Sequence, residues 1–290
     1  MMFLFFSILT NAAIYIIFKW FDIKGIRVFE AIVFNYLTAF TLGLTMVDDL
    51  STTVTTALQW PTWAWAGIGM GTFFISIFYT MAITAQRVGV SVATIASKMS
   101  LALVVVLFAI TDPNEHIGWL KWTAIGFALA GVVFVSIQKD VKAFEWKMIG
   151  FPLIILLGGT LVDFSIAHFS TYPTNESEMD LYSCLPFLTS AVIGFTIIGI
   201  KFIKGNYQLR LREVLAGILL GCVNYGSIFF LVRVYNAGIW PKSTVLPLNN
   251  LSVVIVCAIF AIIFFKEKLS KLNIIGIVFS ILSLILLLNC

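Results

Sequence analysis

The sequence predicts an all-α integral membrane protein, with ten transmembrane helices in two five-helix inverted repeats, residues 1–145 and 146–290. Three observations lead there. Hydrophobic residues make up 60% of the chain and charged residues 11%, against about 25% charged in soluble domains, and the mean hydropathy is +1.03. The apolar residues gather in runs of about 20, the length a helix needs to cross a hydrocarbon core of roughly 30 Å. Basic residues recur in every second connector, as a chain crossing a membrane repeatedly requires. The spans must be helices, because each unpaired backbone group in lipid costs several kcal/mol.

The first span, 2–18, opens directly on MFLFFSILTNAAIYIIF, with neither a basic leader nor a small-residue cleavage site, so no cleavable signal peptide is expected. Spans follow at 29–47, 62–84, 89–110 and 118–137, then at 148–168, 181–200, 213–235, 239–264 and 272–289. Pro61, Pro113, Pro152, Pro173, Pro186, Pro241 and Pro247 are expected at their ends or breaks, since proline lacks the amide donor a helix interior uses. The odd connectors carry Lys19, Lys24 and Arg27, then Arg87, then Lys139, Lys142 and Lys147, then Lys201, Lys204, Arg210 and Arg212, then Lys266, Lys268 and Lys271. The even ones are acidic or neutral (Asp48, Asp49; Asp112, Glu115; Glu176, Glu178, Asp180), apart from the eighth with Lys242 and the nearby Arg233. The positive-inside bias puts the odd connectors in the cytoplasm and both termini outside.

Five spans per half is an odd number, so two tandem copies must insert with opposite topology. The two halves end alike. Glu115-His-Ile-Gly-Trp-Leu-Lys-Trp-Thr-Ala-Ile-Gly126 closes the first, and Glu267-Lys-Leu-Ser-Lys-Leu-Asn-Ile-Ile-Gly276 closes the second. Phe78-Tyr79-x-x-Ala82 leads into Gly89-Val90-Ser91-Val92-Ala93. In these features and in length the chain resembles the drug/metabolite transporter superfamily, specifically its EamA-type ten-span members. The resemblance implies a membrane transporter. Members of that family usually carry a proline midway along the fourth span, as Pro247 stands in the ninth; here Lys98 holds roughly that place.

Lys98 is the residue that most needs an explanation. It lies about ten residues past the start of its span, about 15 Å deep at 1.5 Å per residue, too far for its stem to reach an interface. A cation there costs roughly 2.5–3.5 kcal/mol on insertion scales, so it must face the bundle interior, a wet cavity or a partner. Asp163, in GGTLVDF of the sixth span, is the candidate partner, in a structural pair or in a site. Pro247 stands in Leu246-Pro247-Leu248-Asn249-Asn250 and frees the carbonyl of Ser243, the construction of a helix broken at a transporter site. Asn249 and Asn250 add amide donors and acceptors, with packing between helices the alternative. Asn224, Tyr225 and Trp240 complete the expected substrate-binding set, with Asn35 and Tyr36 as further lining. His116 and His168 read as interface residues, and Gly67-x-Gly69-x-Gly71, Gly217-x-x-x-Gly221, Gly126 and Gly131 as places where helices approach closely.

No Walker loop, HExxH, GxSxG or Rossmann glycine pattern occurs, and the four cysteines show no metal-ligand spacing. No cofactor, metal or nucleic acid is expected; the expected partners are a small-molecule substrate, the lipid bilayer and a second copy of the chain in a homodimer. The reading is a non-enzymatic secondary transporter of a small polar solute, anionic or zwitterionic, in a bacterial plasma membrane. The rivals are a membrane-embedded enzyme on a lipid or isoprenoid substrate, and a channel.

Overall fold

The structure, a computed structural model, describes residues 2–111, 118–137, 146–169, 172–205, 207–236, 242–267 and 269–289. Among the described residues all regular structure is helical and no strand occurs. The helices are α1 (Met2–Ile23), α2 (Val28–Leu44), α3 (Leu50–Ala57), α4 (Thr62–Arg87), α5 (Val90–Lys98), α6 (Ser100–Thr111), α7 (Trp119–Ser136), α8 (Trp146–Phe169), α9 (Glu176–Ile203), α10 (Leu211–Asn236), α11 (Lys242–Ile263) and α12 (Lys271–Leu288). Among the described residues, seven stretches are long and apolar enough to cross a membrane: α1, α4, Val90–Phe108 across α5 and α6, Ile149–Ile166, α9, Leu211–Leu231 and α12. Val28–Leu44, Trp119–Val135 and Leu248–Ile263 are apolar but shorter. Seven of the expected spans coincide with the longer stretches, and the second, fifth and ninth overlap the shorter ones. Their outer faces carry exposed Phe73, Ile154, Leu157, Val192 and Ile259, an apolar exterior suited to lipid rather than water.

The differences from expectation are local. The fourth span is interrupted: α5 ends at Lys98, and α6 starts at Ser100. Pro152 and Pro186 lie inside continuous helices, and α11 runs on through Pro247 rather than breaking there. Transmembrane helices tolerate proline because neighbouring groups take over the freed carbonyls. Pro113 and Pro241 lie outside the described residues. The short α3 was not expected; Asp49 caps it by accepting Thr52 N–H at 3.3 Å. Hydrogen bonds from Thr52 and Ser51 hold the exposed Asp49 carboxyl below the usual carboxylate range.

The chain forms two compact units, each drawing on both sequence halves. One comprises Met1–Trp20, Thr80–Phe164 and Gly226–Cys290. In it α12 packs on α7 and on α11, and α11 packs on α5. The α7–α12 contact explains the second-half ending found in the sequence. Ser270 and Asn273 form a capping box at the start of α12. The Asn273 amide also donates to Val135 O at 2.8 Å and Ile137 O at 2.9 Å, satisfying the end of α7. Three residues on, a Cβ on Gly276 would lie 2.5 Å from Val135 N, so glycine is required for the backbones to approach.

The other unit comprises Phe21–Tyr79 and Ser165–Tyr225. Here α2 packs along α9, with Gly194 admitting Val33. Gly67 and Gly71 face α9 through Leu185 and Thr189, while Gly69 faces open space. Gly217 and Gly221 seat α10 on α2. Val47, Trp63, Ala64, Met70, Leu181, Tyr182 and Leu185 form its core cluster.

Candidate functional site

The interruption in the fourth span builds the site. Met99 N–H still bonds Ile95 O at 2.9 Å, but Ala102 N–H bonds Met99 O at 3.1 Å, a one-residue tightening of the helical ladder. The tightening turns Lys98 at the end of α5 and Ser100 at the start of α6 toward different neighbours. Lys98 Nζ donates to Asn11 Oδ1 of α1 at 2.9 Å. Ser100 Oγ lies 2.5 Å from Asp163 Oδ2 of α8 and 2.6 Å from Ser97 O. One hydroxyl proton serves only one of these acceptors at a time.

Among the described residues no direct ion pair joins Lys98 to Asp163, although their charges interact through space. Each has a neutral partner instead, so the expected lysine–aspartate contact is corrected to two separate hydrogen bonds. Lys98 is half-buried and Asp163 is exposed.

Helix α1 supplies a polar stripe that the sequence reading missed. Ser7, Asn11 and Tyr15 are spaced by four and share a face. Ser7 Oγ donates to Asn249 Oδ1 of α11 at 3.1 Å, and Tyr15 shares a hydrogen bond with Ser97. An amide in the middle of an otherwise apolar span was the signal available for Asn11. Asn249 and Asn250 are both buried, and the Asn249 Nδ2 has no hydrogen-bond partner. Cys257, about two turns further along α11, contacts Ala12 O at 3.8 Å and shares a hydrogen bond with Thr94.

Asn224 and Tyr225 belong to the other unit. Asn224 Nδ2 donates to Asn35 Oδ1 at 3.1 Å, one turn beyond the glycines that seat α10 on α2, and so fastens that contact. Tyr36 donates to Phe74 O at 2.9 Å. Trp240 and His116 lie outside the described residues, as does the side chain of Pro247.

The same unit as Lys98 holds a second arrangement. Val90 N–H donates to Glu267 Oε1 at 2.7 Å, and Ser91 Oγ to Glu267 Oε2 at 3.2 Å. A carboxylate thus caps the N-terminus of α5, where the helix dipole favours negative charge. Gly89 makes the approach feasible with φ +142°, a conformation other residues rarely adopt. The chain reversal after α11 aims Glu267: its N–H bonds Ala261 O at 3.0 Å while Lys266 takes φ +52°. The Gly89-Val90-Ser91 passage and the Glu at the head of the second ending are therefore one device.

An uncharacterised protein of Haemophilus influenzae (strain ATCC 51907 / DSM 11121 / KW20 / Rd) is 24% identical, across 96% of this chain and 94% of its own length. Residues 169–289 match the model of the EamA-like transporter family, whose members are transporters rather than enzymes. With seven stretches among the described residues long and apolar enough to cross a membrane, the chain is a multi-pass integral membrane protein. Residues 169–289 are thus similar to the EamA-like transporter family, consistent with the drug/metabolite transporter superfamily.

Proposed function

We propose that the protein is a secondary transporter that moves a small polar metabolite, anionic or zwitterionic, by alternating access across a bacterial plasma membrane. The observation that carries this reading is Lys98 at an interrupted span, hydrogen-bonded to Asn11 at 2.9 Å and set near Asp163 without an ion pair. Intramembrane cations are expensive and concentrate where solutes pass. Lys98 binds an anionic group of the solute, Asp163 and the Asn249 amide supply further polar contacts, and the interruption beside Lys98 is the flexible point.

The proposed ten spans form two inverted repeats, 1–145 and 146–290. Three pairs of helices of equal rank in the two halves (α2 with α9, α5 with α11, α7 with α12) pack antiparallel, which supports this. Near one end of the α2–α9 pair, Lys201 of α9 meets Glu30 of α2 at 3.8 Å. The N-terminus of α5 meets Glu267, just past the end of α11. Asn273 at the start of α12 meets the end of α7, and Ser283 meets Ala124 O at 2.7 Å further along. Inversion of one half relative to the other produces this antiparallel pairing.

The test is a thermal-shift screen of purified protein against metabolite pools, followed by uptake of any hit into proteoliposomes. A solute that binds only the folded state raises its stability. Lys98→Ala should lose both the shift and uptake while the protein stays monodisperse. Wild-type uptake in that variant would remove Lys98 from the site.

A further inference from the structure

Far along the sequence from Lys98, the unit containing α2 and α9 carries a dense cationic surface. Two carboxylates organise it. Glu30 accepts Tyr207 Oη at 2.7 Å and sits 3.8 Å from both Arg27 and Lys201. Glu213 accepts Arg27 Nε at 3.3 Å, Arg212 Nε at 3.4 Å and Arg210 N–H at 3.0 Å. Both are buried, whereas the side chains of Arg27, Lys201 and Arg212 are 35%, 44% and 46% exposed. Arg27 also donates to Gln208 O and stacks over Tyr207 at 5.0 Å. Desolvation opposes the Arg27 charge, but the bond to Glu213 and the nearby Glu30 outweigh it and hold the guanidinium above its ordinary value.

Lys204 and Arg210 are exposed at the same connector, so five cations surround two acids and the surface is strongly positive. Arg210 and Arg212 stand at the N-terminal end of α10, where the helix dipole disfavours cations and favours anions. Helix stability therefore does not explain them. The connector joins two membrane-spanning helices, which sets it at the bilayer surface. Its apolar residues are exposed as well: Phe202 by 56%, Ile203 by 87% and Leu211 by 71%. A soluble anion has no use for that apolar rim, whereas a phospholipid covers it with acyl chain while its phosphate meets the cations.

We propose that this surface binds the headgroup phosphate of an anionic phospholipid. Lys204 and Arg210 are its outer contacts, and Arg27, Lys201 and Arg212 are held in place by the buried carboxylates.

The test uses the full chain in neutral detergent, with thermal unfolding followed during titration with phosphatidylglycerol, phosphatidylcholine or inorganic phosphate. Phosphatidylglycerol should raise the melting temperature, and the other two should not. A Lys204→Gln, Arg210→Gln variant should melt as wild type without lipid but need about 30-fold more phosphatidylglycerol for the same shift, from two lost surface cation contacts. Equal stabilisation by the two lipids would overturn the proposal, as would a variant with an undiminished response. A phosphate shift matching that of phosphatidylglycerol would assign the surface to a soluble anion instead. The titration needs no transported solute, so it stands or falls apart from the transport reading.

Discussion

At Gly89 and Glu267 one backbone angle and one carboxylate depend on each other. A Cβ on Gly89 would lie 3.2 Å from both carboxylate oxygens and would have to adopt φ +142°. Gly89→Ala should therefore destabilise the protein by more than about 1 kcal/mol. Glu267→Gln keeps the shape but loses a charged acceptor, at about 1.5–3 kcal/mol; melting of both variants in detergent checks the pair. At Lys98 the separate partners make a different expectation. Lys98→Ala and Asp163→Ala should each abolish uptake, and the double variant should recover none, because removing both charges relieves no direct ion pair. Uptake restored in the double variant would reduce the two residues to a structural couple.

Helix contacts make the two copies of the Ile-Gly ending unequal. Gly276 sits against Val135 N, where an added Cβ would be at 2.5 Å, and Gly126 has nothing within 4 Å. Gly276→Ala should cost about 1–3 kcal/mol, because backbone cannot move aside as a side chain can. Gly126→Ala should instead gain about 0.5–1 kcal/mol, the usual preference of a helix interior for alanine. Comparing the two melting temperatures tests the α7–α12 crossing directly. The same logic separates Gly71 from Gly69: Thr189 Cβ would be 2.4 Å from a Cβ at Gly71, and nothing opposes one at Gly69.

At the scale of a whole compact unit, charge separates the connectors. Within the α2–α9 unit the basic first and seventh connectors meet around Glu30 and Glu213. The acidic end of α2, through Val47, meets the start of α9, through Leu181 and Tyr182. The basic end is expected in the cytoplasm. With Cys184, Cys222, Cys257 and Cys290 replaced, Glu176→Cys should react in intact cells with an impermeant maleimide, and Lys204→Cys should be shielded. The reverse labelling would invert the orientation.

The sequence by itself determined the long apolar helices, their order and their apolar exteriors, though not the short α3, because lipid allows a lone segment no other way to satisfy its backbone. Apolar run length therefore placed seven spans on stretches long enough to cross, while the second, fifth and ninth fell on shorter helices, and the depth of Lys98 marked it without any knowledge of its neighbours. Contacts between distant segments were decided only by the tertiary structure. Nothing local distinguishes Asn11 from Asp163 as the partner of Lys98, or Gly276 from Gly126 as the crossing point. Nothing local shows that Glu267 caps a helix that begins at Val90, 177 residues earlier in the chain. The fourth-span interruption at Met99 was likewise hidden, since no proline or glycine marks it. Pro247, which does carry such a mark, stands in a helix that continues. A proline's missing donor is a local fact, but whether the helix breaks there depends on which neighbours stand ready to take up the freed carbonyl.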